Sequence, residues 1–264
     1  MVEEKRITGI IPAAGGASRI SPIPCSKEIL PVGVEDHRSG KSPEIKVATA
    51  GLLESCAAAG ADQVYMIIRK GKWDIPQYLG MGTEPGCPLA YLVTEPTPGT
   101  YHTIDLAYPF AKDSMVLLGF PDILFKPKSA FVSLLERQQQ TGAEVVLGLF
   151  RATNPHGADL VAADEQGRVQ DIVIKPDHPE LTDAWAIAVW TPAFTRYLHE
   201  IAADTGVIKR LKSEKRREIF IGDIFKHALD SGLTIDSITF TDGEYIDIGT
   251  LSGLRRALRG EIGM

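Results

Sequence analysis

The amino-acid sequence predicts an α/β layer fold with a largely parallel sheet and an elaborated C-terminal half. Three observations carry that expectation. Apolar runs of strand length alternate with segments of helical period through the first 150 residues, the pattern of parallel strands joined by crossover helices. The remainder shifts to strands joined by a tight turn before helices return. No Ser/Gly/Pro-rich linker, internal repeat or low-complexity tract interrupts the chain, so residues 1–264 read as a single domain.

Taken in order, the strand-like runs are Ile7 to Ala13, Gln63 to Ile68, Leu89 to Val93, Met115 to Leu118 and Glu144 to Phe150. Between them the apolar spacing predicts helices over 46–59, 103–111 and 128–141. In such folds ligands lie beyond the carboxyl ends of the strands, so the loops after strands are where function is sought. Further on, Asp159 to Ala163 and Arg168 to Ile174 flank the turn Asp164-Glu165-Gln166-Gly167 and read as a hairpin. Ala184 to Trp190 is another strand candidate, and helices are expected over 192–203 and 219–231. A short strand, Thr234 to Phe240, leads through Glu244 to Ile248 into a last helix from Leu251 to Leu258.

Composition narrows the function classes. With 44% hydrophobic and 23% charged residues the chain can bury a sizeable core. Twenty-eight Lys and Arg against 34 Asp and Glu give a formal charge of -6, the opposite of a nucleic-acid-binding surface. A polyanionic ligand would have to be held by a few local cations. Cys25, Cys56 and Cys87 form no CxxC pair and have no His at metal-ligand spacing, so they read as reduced thiols. The first residues, Met-Val-Glu-Glu-Lys-Arg, lead into an apolar strand of about seven residues, too short for a signal-peptide core or a membrane span. The expectation is a cytoplasmic protein with no membrane partner.

The first strand empties into Pro12-Ala13-Ala14-Gly15-Gly16-Ala17-Ser18-Arg19, and Lys27 follows eight residues after Arg19. Small residues at 14–18 would let backbone N–H groups approach phosphates, while Arg19 and Lys27 supply positive charge. A nucleotide cradle is one reading; a tight strand-to-helix turn carrying two solvated cations is the other. The segment is neither a Walker loop, lacking Gly-Lys-Ser/Thr, nor a spaced Gly-x-Gly-x-x-Gly.

The longer segment GIIPAAGGASRISPIPCSKEILPVG resembles the N-terminal signature of sugar-1-phosphate nucleotidyltransferases, the family of glucose-1-phosphate thymidylyltransferases and UTP-glucose-1-phosphate uridylyltransferases. Three later segments resemble further motifs of that family, in its order. Val116-Leu117-Leu118-Gly119-Phe120-Pro121-Asp122 is similar to the strand ending in a metal-binding Asp; Val173-Ile174-Lys175-Pro176 to a sugar-phosphate-contacting Glu-Lys-Pro; Tyr245-Ile246-Asp247-Ile248-Gly249-Thr250 to a Trp-x-Asp-x-Gly-Thr bearing the second metal carboxylate. The resemblance implies a Rossmann-like, mostly parallel sheet of the nucleotide-diphospho-sugar transferase type. It also implies a nucleoside triphosphate and a sugar-1-phosphate as partners, Mg2+ held by Asp122 and Asp247, the triphosphate held by Arg19 and Lys27, and the sugar phosphate held by Lys175. Gly99 and Thr100, in the loop after the third strand, fall where the family contacts base and sugar; from the residues alone the segment could equally be a Pro/Gly turn with Thr100 or Thr103 capping the next helix. Relatives commonly assemble, so the resemblance leaves a homo-oligomer open, while the sequence itself does not fix the oligomeric state.

Departures mark where the resemblance is thinnest. Ala17 and Ser18 replace the family's Gly and Thr, and Ile20 replaces Leu, changes that look shape-preserving. Ile174 stands where the family has a sugar-contacting Glu, and Asp159 falls where a Gly is usual unless Gly157 is the equivalent. No base-selecting Gln follows Glu95. From the residues alone, Asp122 could cap a helix near Pro127, Asp247 could form a turn with Thr250 capping the last helix, and Lys175 could be an edge residue. His102 reads as an exposed loop histidine, and the basic run Lys209 to Arg217 as a solvated face. Two alternative functions remain open at this stage: a non-catalytic nucleotide or nucleotide-sugar sensor, and a cytidylyltransferase acting on another phosphorylated alcohol.

Overall fold

A computed structural model describes residues 6–35, 43–82, 86–212 and 218–262. The first half comprises β1 (Ile7–Ala13), β2 (Pro31–Glu35), β3 (Glu44–Val47), α1 (Ala50–Ala58), β4 (Gln63–Arg69), α2 (Asp74–Leu79), β5 (Leu89–Thr94), α3 (Thr100–Asp105), α4 (Tyr108–Ala111), β6 (Met115–Leu118), β7 (Ile123–Lys126) and α5 (Ala130–Thr141). The second comprises β8 (Val145–Arg151), β9 (Asp159–Ala163), β10 (Val169–Ile174), β11 (Asp183–Trp190), α6 (Pro192–Ala203), α7 (Thr205–Leu211), α8 (Ile221–Asp230), β12 (Ile235–Thr239), β13 (Glu244–Asp247) and α9 (Leu251–Leu258).

The main sheet has nine strands, in the order β10-β9-β11-β6-β1-β4-β5, with β8 on the other edge of β11 and β12 beyond it. β1 runs parallel to β4 and β6, β4 to β5, and β12 to β8. β11 is antiparallel to β6, β8 and β9, and β10 to β9. Seven strands therefore share one direction and two oppose it, the mostly parallel sheet that the sequence predicts. β11 presents one edge to both β6 and β9, through Ala188↔Leu118 and Ala184↔Leu160, and its pairing with β8 is irregular between Trp185 and Ile187.

Alternation along the strands sorts the core into two faces. Ile11, Val64, Met66 and Ile68 join α1, α2 and α5 on one side; Ile10, Ile67, Val116 and Leu118 join α3, α4, α6 and α8 on the other. Helices on both faces explain why β6 is apolar throughout.

The structure corrects several sequence-based boundaries. Residues 44–47 extend to pair with β2, so the helix expected from 46 begins at Ala50. The helix expected over 103–111 is two short ones, the second carrying Pro109 in its first turn, where a residue without an N–H starts a helix but does not continue one. The hairpin at 164–167 forms as expected: the Asp164 carboxylate accepts from the Gln166 and Arg168 N–H groups, and Gly167 has φ +87°.

A two-stranded ribbon outside the main sheet, β7 with β13, rests on an aromatic seat. Phe150 of β8 is fully buried against Phe125 of β7, Tyr245 of β13 and Phe240, with ring centroids 6.3, 5.9 and 5.1 Å away. Phe150→Ala is expected to cost about 3–5 kcal/mol. Urea unfolding would measure it; a loss under about 1 kcal/mol would show that the ribbon does not depend on this seat.

Candidate functional site

The ribbon brings together two acids 125 positions apart. Beyond β6 the chain passes Gly119, where a Cβ would lie 2.3 Å from the Leu52 side chain, and reaches Asp122 just before β7. In the ribbon Asp247 lies opposite Ile123, and the Ile248 N–H donates to the Asp122 carbonyl at 2.9 Å. Asp247 Oδ1 accepts from the Gly249 N–H at 2.8 Å, and the Thr250 hydroxyl accepts from the Gly253 N–H at 3.1 Å, capping α9. The turn and cap readings thus hold alongside the convergence. A Cβ on Gly249 would lie 2.8 Å from Asp122 Oδ2, from Asp247 Oδ1 and from an Arg19 guanidinium nitrogen. The two carboxylates are therefore no more than twice that distance apart, across a gap that only glycine leaves open.

Two cations from the first loop face these acids. Lys27 Nζ is 2.5 Å from Asp122 Oδ2, and an Arg19 nitrogen is 3.4 Å from Asp247 Oδ2. Burial and then the Asp122 charge raise the Asp247 carboxyl above its ordinary value, with Arg19 pulling the other way. Burial also works against charge on Lys27, but Asp122, Glu28 and Asp247 outweigh it and its ammonium is held above the usual lysine value. In the loop, Ala17 has φ +54°, a left-handed conformation costing an L-residue about 1–2 kcal/mol. Ala in place of the family's Gly therefore carries a backbone cost that the sequence alone did not expose.

Lys27 is fixed on both sides by the segment after β4. Asp74 accepts from the Ser26 N–H at 2.6 Å and the Ser26 hydroxyl at 2.7 Å. Lys72 donates to fully buried Glu28 at 2.6 Å and to the carbonyl of Ala13, the last residue of β1, at 2.8 Å. Burial holds Glu28 above and Lys72 below their ordinary values despite the pairing. The sequence reading missed this segment, although the rule that directs attention to loops after strands applies to β4 as it does to β1, β5 and β6.

The other expected site residues are placed less centrally. Lys175 directly follows β10 with φ +43°, its ammonium 3.2 Å from the Phe220 ring centroid, a cation–π contact. Pairing of β10 with β9, and of β9 with β11 beyond the end of β6, puts Lys175 at the sheet edge where β6 delivers Asp122. Asp159 packs on the first turn of α8, where a Cβ on Gly222 would fall 2.2 Å from its carboxylate. Gly99 bridges to Ile219 so closely that a Cβ would lie 2.3 Å from the Ile219 carbonyl oxygen. This close approach gives Gly99 a packing reason for being glycine, and Thr100 begins α3. His102 lies on α3 rather than in a loop, with Nδ1 buried. In the basic run, Lys209 and Arg210 lie on α7, whereas Lys215, Arg216 and Arg217 fall outside the described residues. The three cysteines are free thiols. Among the described residues no helix is long and apolar enough to cross a membrane, and no three His, Cys, Asp or Glu side chains gather as a metal-binding cluster. A cation between Asp122 and Asp247 would have to complete its oxygen shell from ligand or water.

Fold and site together define an α/β protein in which paired acids and cations meet beyond the carboxyl ends of its parallel strands. The chain belongs to the nucleotidyl transferase family, which it matches over residues 8–261. It is 26% identical over 233 residues to the low-salt glycan biosynthesis nucleotidyltransferase of Haloferax volcanii, covering 87% of this chain and 59% of that protein. It is 24% identical over 203 residues to a glucose-1-phosphate thymidylyltransferase of Streptomyces antibioticus, covering 76% of this chain and 54% of that protein. The chain thus matches less than two-thirds of the length of either. Among the solved structures that share the fold are the following two. One, from Bacillus anthracis and assigned as a glucose-1-phosphate thymidylyltransferase, has a TM-score of 0.78 at 22% identity, covering 98% of this chain and 96% of that one. The other, a UDP-glucose pyrophosphorylase complexed with UDP-glucose, has a TM-score of 0.77 at 17% identity, covering 97% and 98%.

The raised Asp247 carboxyl has a consequence for stability. An acid whose folded pKa exceeds its unfolded one favours folding when protonated, so the penalty is fully present above the folded value and fades as pH falls through it toward the unfolded value. Asp247→Asn, which keeps an acceptor for the Gly249 N–H, is expected to raise the melting temperature of ligand-free protein at pH 7. The advantage should shrink on acidification toward the ordinary carboxylate range. Calorimetry across that range, with chelator present, would measure it; a variant less stable than wild type at pH 7 would contradict the expectation.

Proposed function

We propose that this chain transfers a nucleotidyl group from a nucleoside triphosphate to a sugar-1-phosphate, giving a nucleotide-sugar and pyrophosphate. The observation that carries the reading is the meeting of Asp122 and Asp247 with Lys27 and Arg19 beside the small-residue loop. The family membership and the activities named for its relatives support it. Arg19, Lys27 and the N–H groups of Ala14, Gly15, Gly16, Ala17 and Ser18 bind the triphosphate, Gly99 and Thr100 border the base and sugar, and Lys175 holds the acceptor phosphate.

The gap that a Cβ on Gly249 would fill is lined by two carboxylate oxygens and, equally close, an Arg19 guanidinium nitrogen; with the exposed Arg19 side chain turned to phosphate, the oxygen pair suits a small hard cation, and Asp122 and Asp247 are the residues that would hold Mg2+ there. When bound, Mg2+ supplies charge neutralisation at the transferring phosphorus. The acceptor phosphate needs no strong base, because a phosphate monoester with a second pKa of about 6 is already largely dianionic at neutral pH. The chain's contribution is positioning two anions against their repulsion and fixing the donors that meet the developing charge.

The test is a matrix of dTTP, UTP, CTP and ATP against sugar-1-phosphates with pyrophosphate detection. Release is expected to require Mg2+ and to fall about 100-fold or more in Asp122→Ala, Asp247→Ala and Lys175→Ala. Full activity in all three variants would reject the assignments. Thermal stabilisation by triphosphates with no turnover across the matrix would leave binding without transfer.

A further inference from the structure

Arg69 is the last residue of β4, one beyond the Ala13↔Ile68 pair, and so stands level with the start of the glycine loop. Its two guanidinium nitrogens lie 3.4 and 4.0 Å from the position a Cβ on Gly16 would take. A Cβ there would make only ordinary van der Waals contact, so the half-buried Arg69 side chain lies alongside the exposed loop backbone at Gly16 without depending on the glycine.

The neighbouring cations are all engaged by carboxylates: Lys27 by Asp122, Arg19 by Asp247, Lys72 by Glu28, and Lys70 by Glu95. Among the described residues no carboxylate reaches ion-pair distance of Arg69, and its charge adds to the forces that hold Lys72 below its ordinary value. The loop's surplus positive charge is therefore at Arg69. It sits on the β4 flank of the loop, whereas Asp122 arrives from β6 on the opposite flank of β1. A planar guanidinium with free donors, beside an exposed backbone and away from the acids, is suited to bidentate contact with phosphate oxygens.

We propose that Arg69 binds the terminal phosphates of the nucleoside triphosphate, so that this flank of the loop senses polyphosphate length while the acids serve the reacting phosphorus. The inference rests on the transfer reading for its ligand, but it can be tested without turnover. Calorimetric titration would compare wild type, Arg69→Met and Arg69→Lys with inorganic tripolyphosphate, UTP and UMP, and dTTP and dTMP. Arg69→Met is expected to weaken tripolyphosphate and triphosphate binding about tenfold or more, with the monophosphates changed less than about twofold. Arg69→Lys should fall between, keeping the charge but losing the fork. In turnover, the triphosphate KM should rise in Arg69→Met while the sugar-phosphate KM stays put.

Equal losses for mono- and triphosphates, or none in a variant that melts like wild type, would overturn the inference. If Arg69→Lys binds tripolyphosphate as wild type does, while Arg69→Met melts early and binds nothing, the role is packing and the inference falls. Selective loss of tripolyphosphate in a protein that turns nothing over would uphold Arg69 and sink the transfer reading. An active enzyme with an unmoved triphosphate KM in Arg69→Met would do the reverse, and a wild type that binds no polyphosphate would overturn both.

Discussion

Two like charges are held close by a strand pair. Asp122 and Asp247 repel, and the raised Asp247 carboxyl registers that repulsion on top of its burial. Their approach is imposed by the ladder of β7 and β13 and by the bond from the Ile248 N–H to the Asp122 carbonyl. The ladder is anchored in turn by the rings around Phe150. Lys27 and Arg19 offset the charge, so any polyanion drawn to these two cations would compete with the protein's own acids. That competition accords with a chain whose formal charge is -6 and which concentrates positive charge at a few points.

The Glu28–Lys72 pair should be judged on position rather than stability. A buried ion pair gains little over well-packed apolar side chains once desolvation is counted, and one Glu28 carboxylate oxygen has no hydrogen-bond partner. What the pair does is join the end of β1, the short turn holding Lys27 and the segment after β4 through a single ammonium. Asp74 adds a second tie at Ser26. Lys27 thereby stands on a backbone fixed from both neighbours.

Much of the fold was legible because burial on both sheet faces demands long apolar runs. β1, β6 and β9 begin and end where the sequence predicts, as do α6 and α9. The short elements were not: β2, β3 and β7 are four or five residues long; β2 and β3 are ordered against each other and β7 against the far-removed β13, and no local period announces such pairing. In the site, Asp122, Asp247, Arg19 and Lys27 could be named from motif resemblance. Lys72, Asp74 and Arg69 could not, because isolated charges at a strand end and in the turn and helix start that follow look alike until tertiary contacts separate the engaged from the unengaged. Ala17 looked harmless because its cost lies in a backbone angle rather than in side-chain volume.

Strand β11 acts as a ruler. Its shared edge meets β6 at Ala188 and β9 at Ala184, a span of four residues or about 13 Å of nearly inextensible backbone. The strand leading to Asp122, β6, and the strand that carries β10 and Lys175 alongside it, β9, are thus spaced by covalent geometry, not by a hinge. The irregularity between Trp185 and Ile187 falls inside that span, where a bulge sets the local bend and twist. Inserting or deleting one residue there would reset the separation of the two segments and invert the faces of the side chains between them, whereas lengthening any surface loop would leave the spacing untouched.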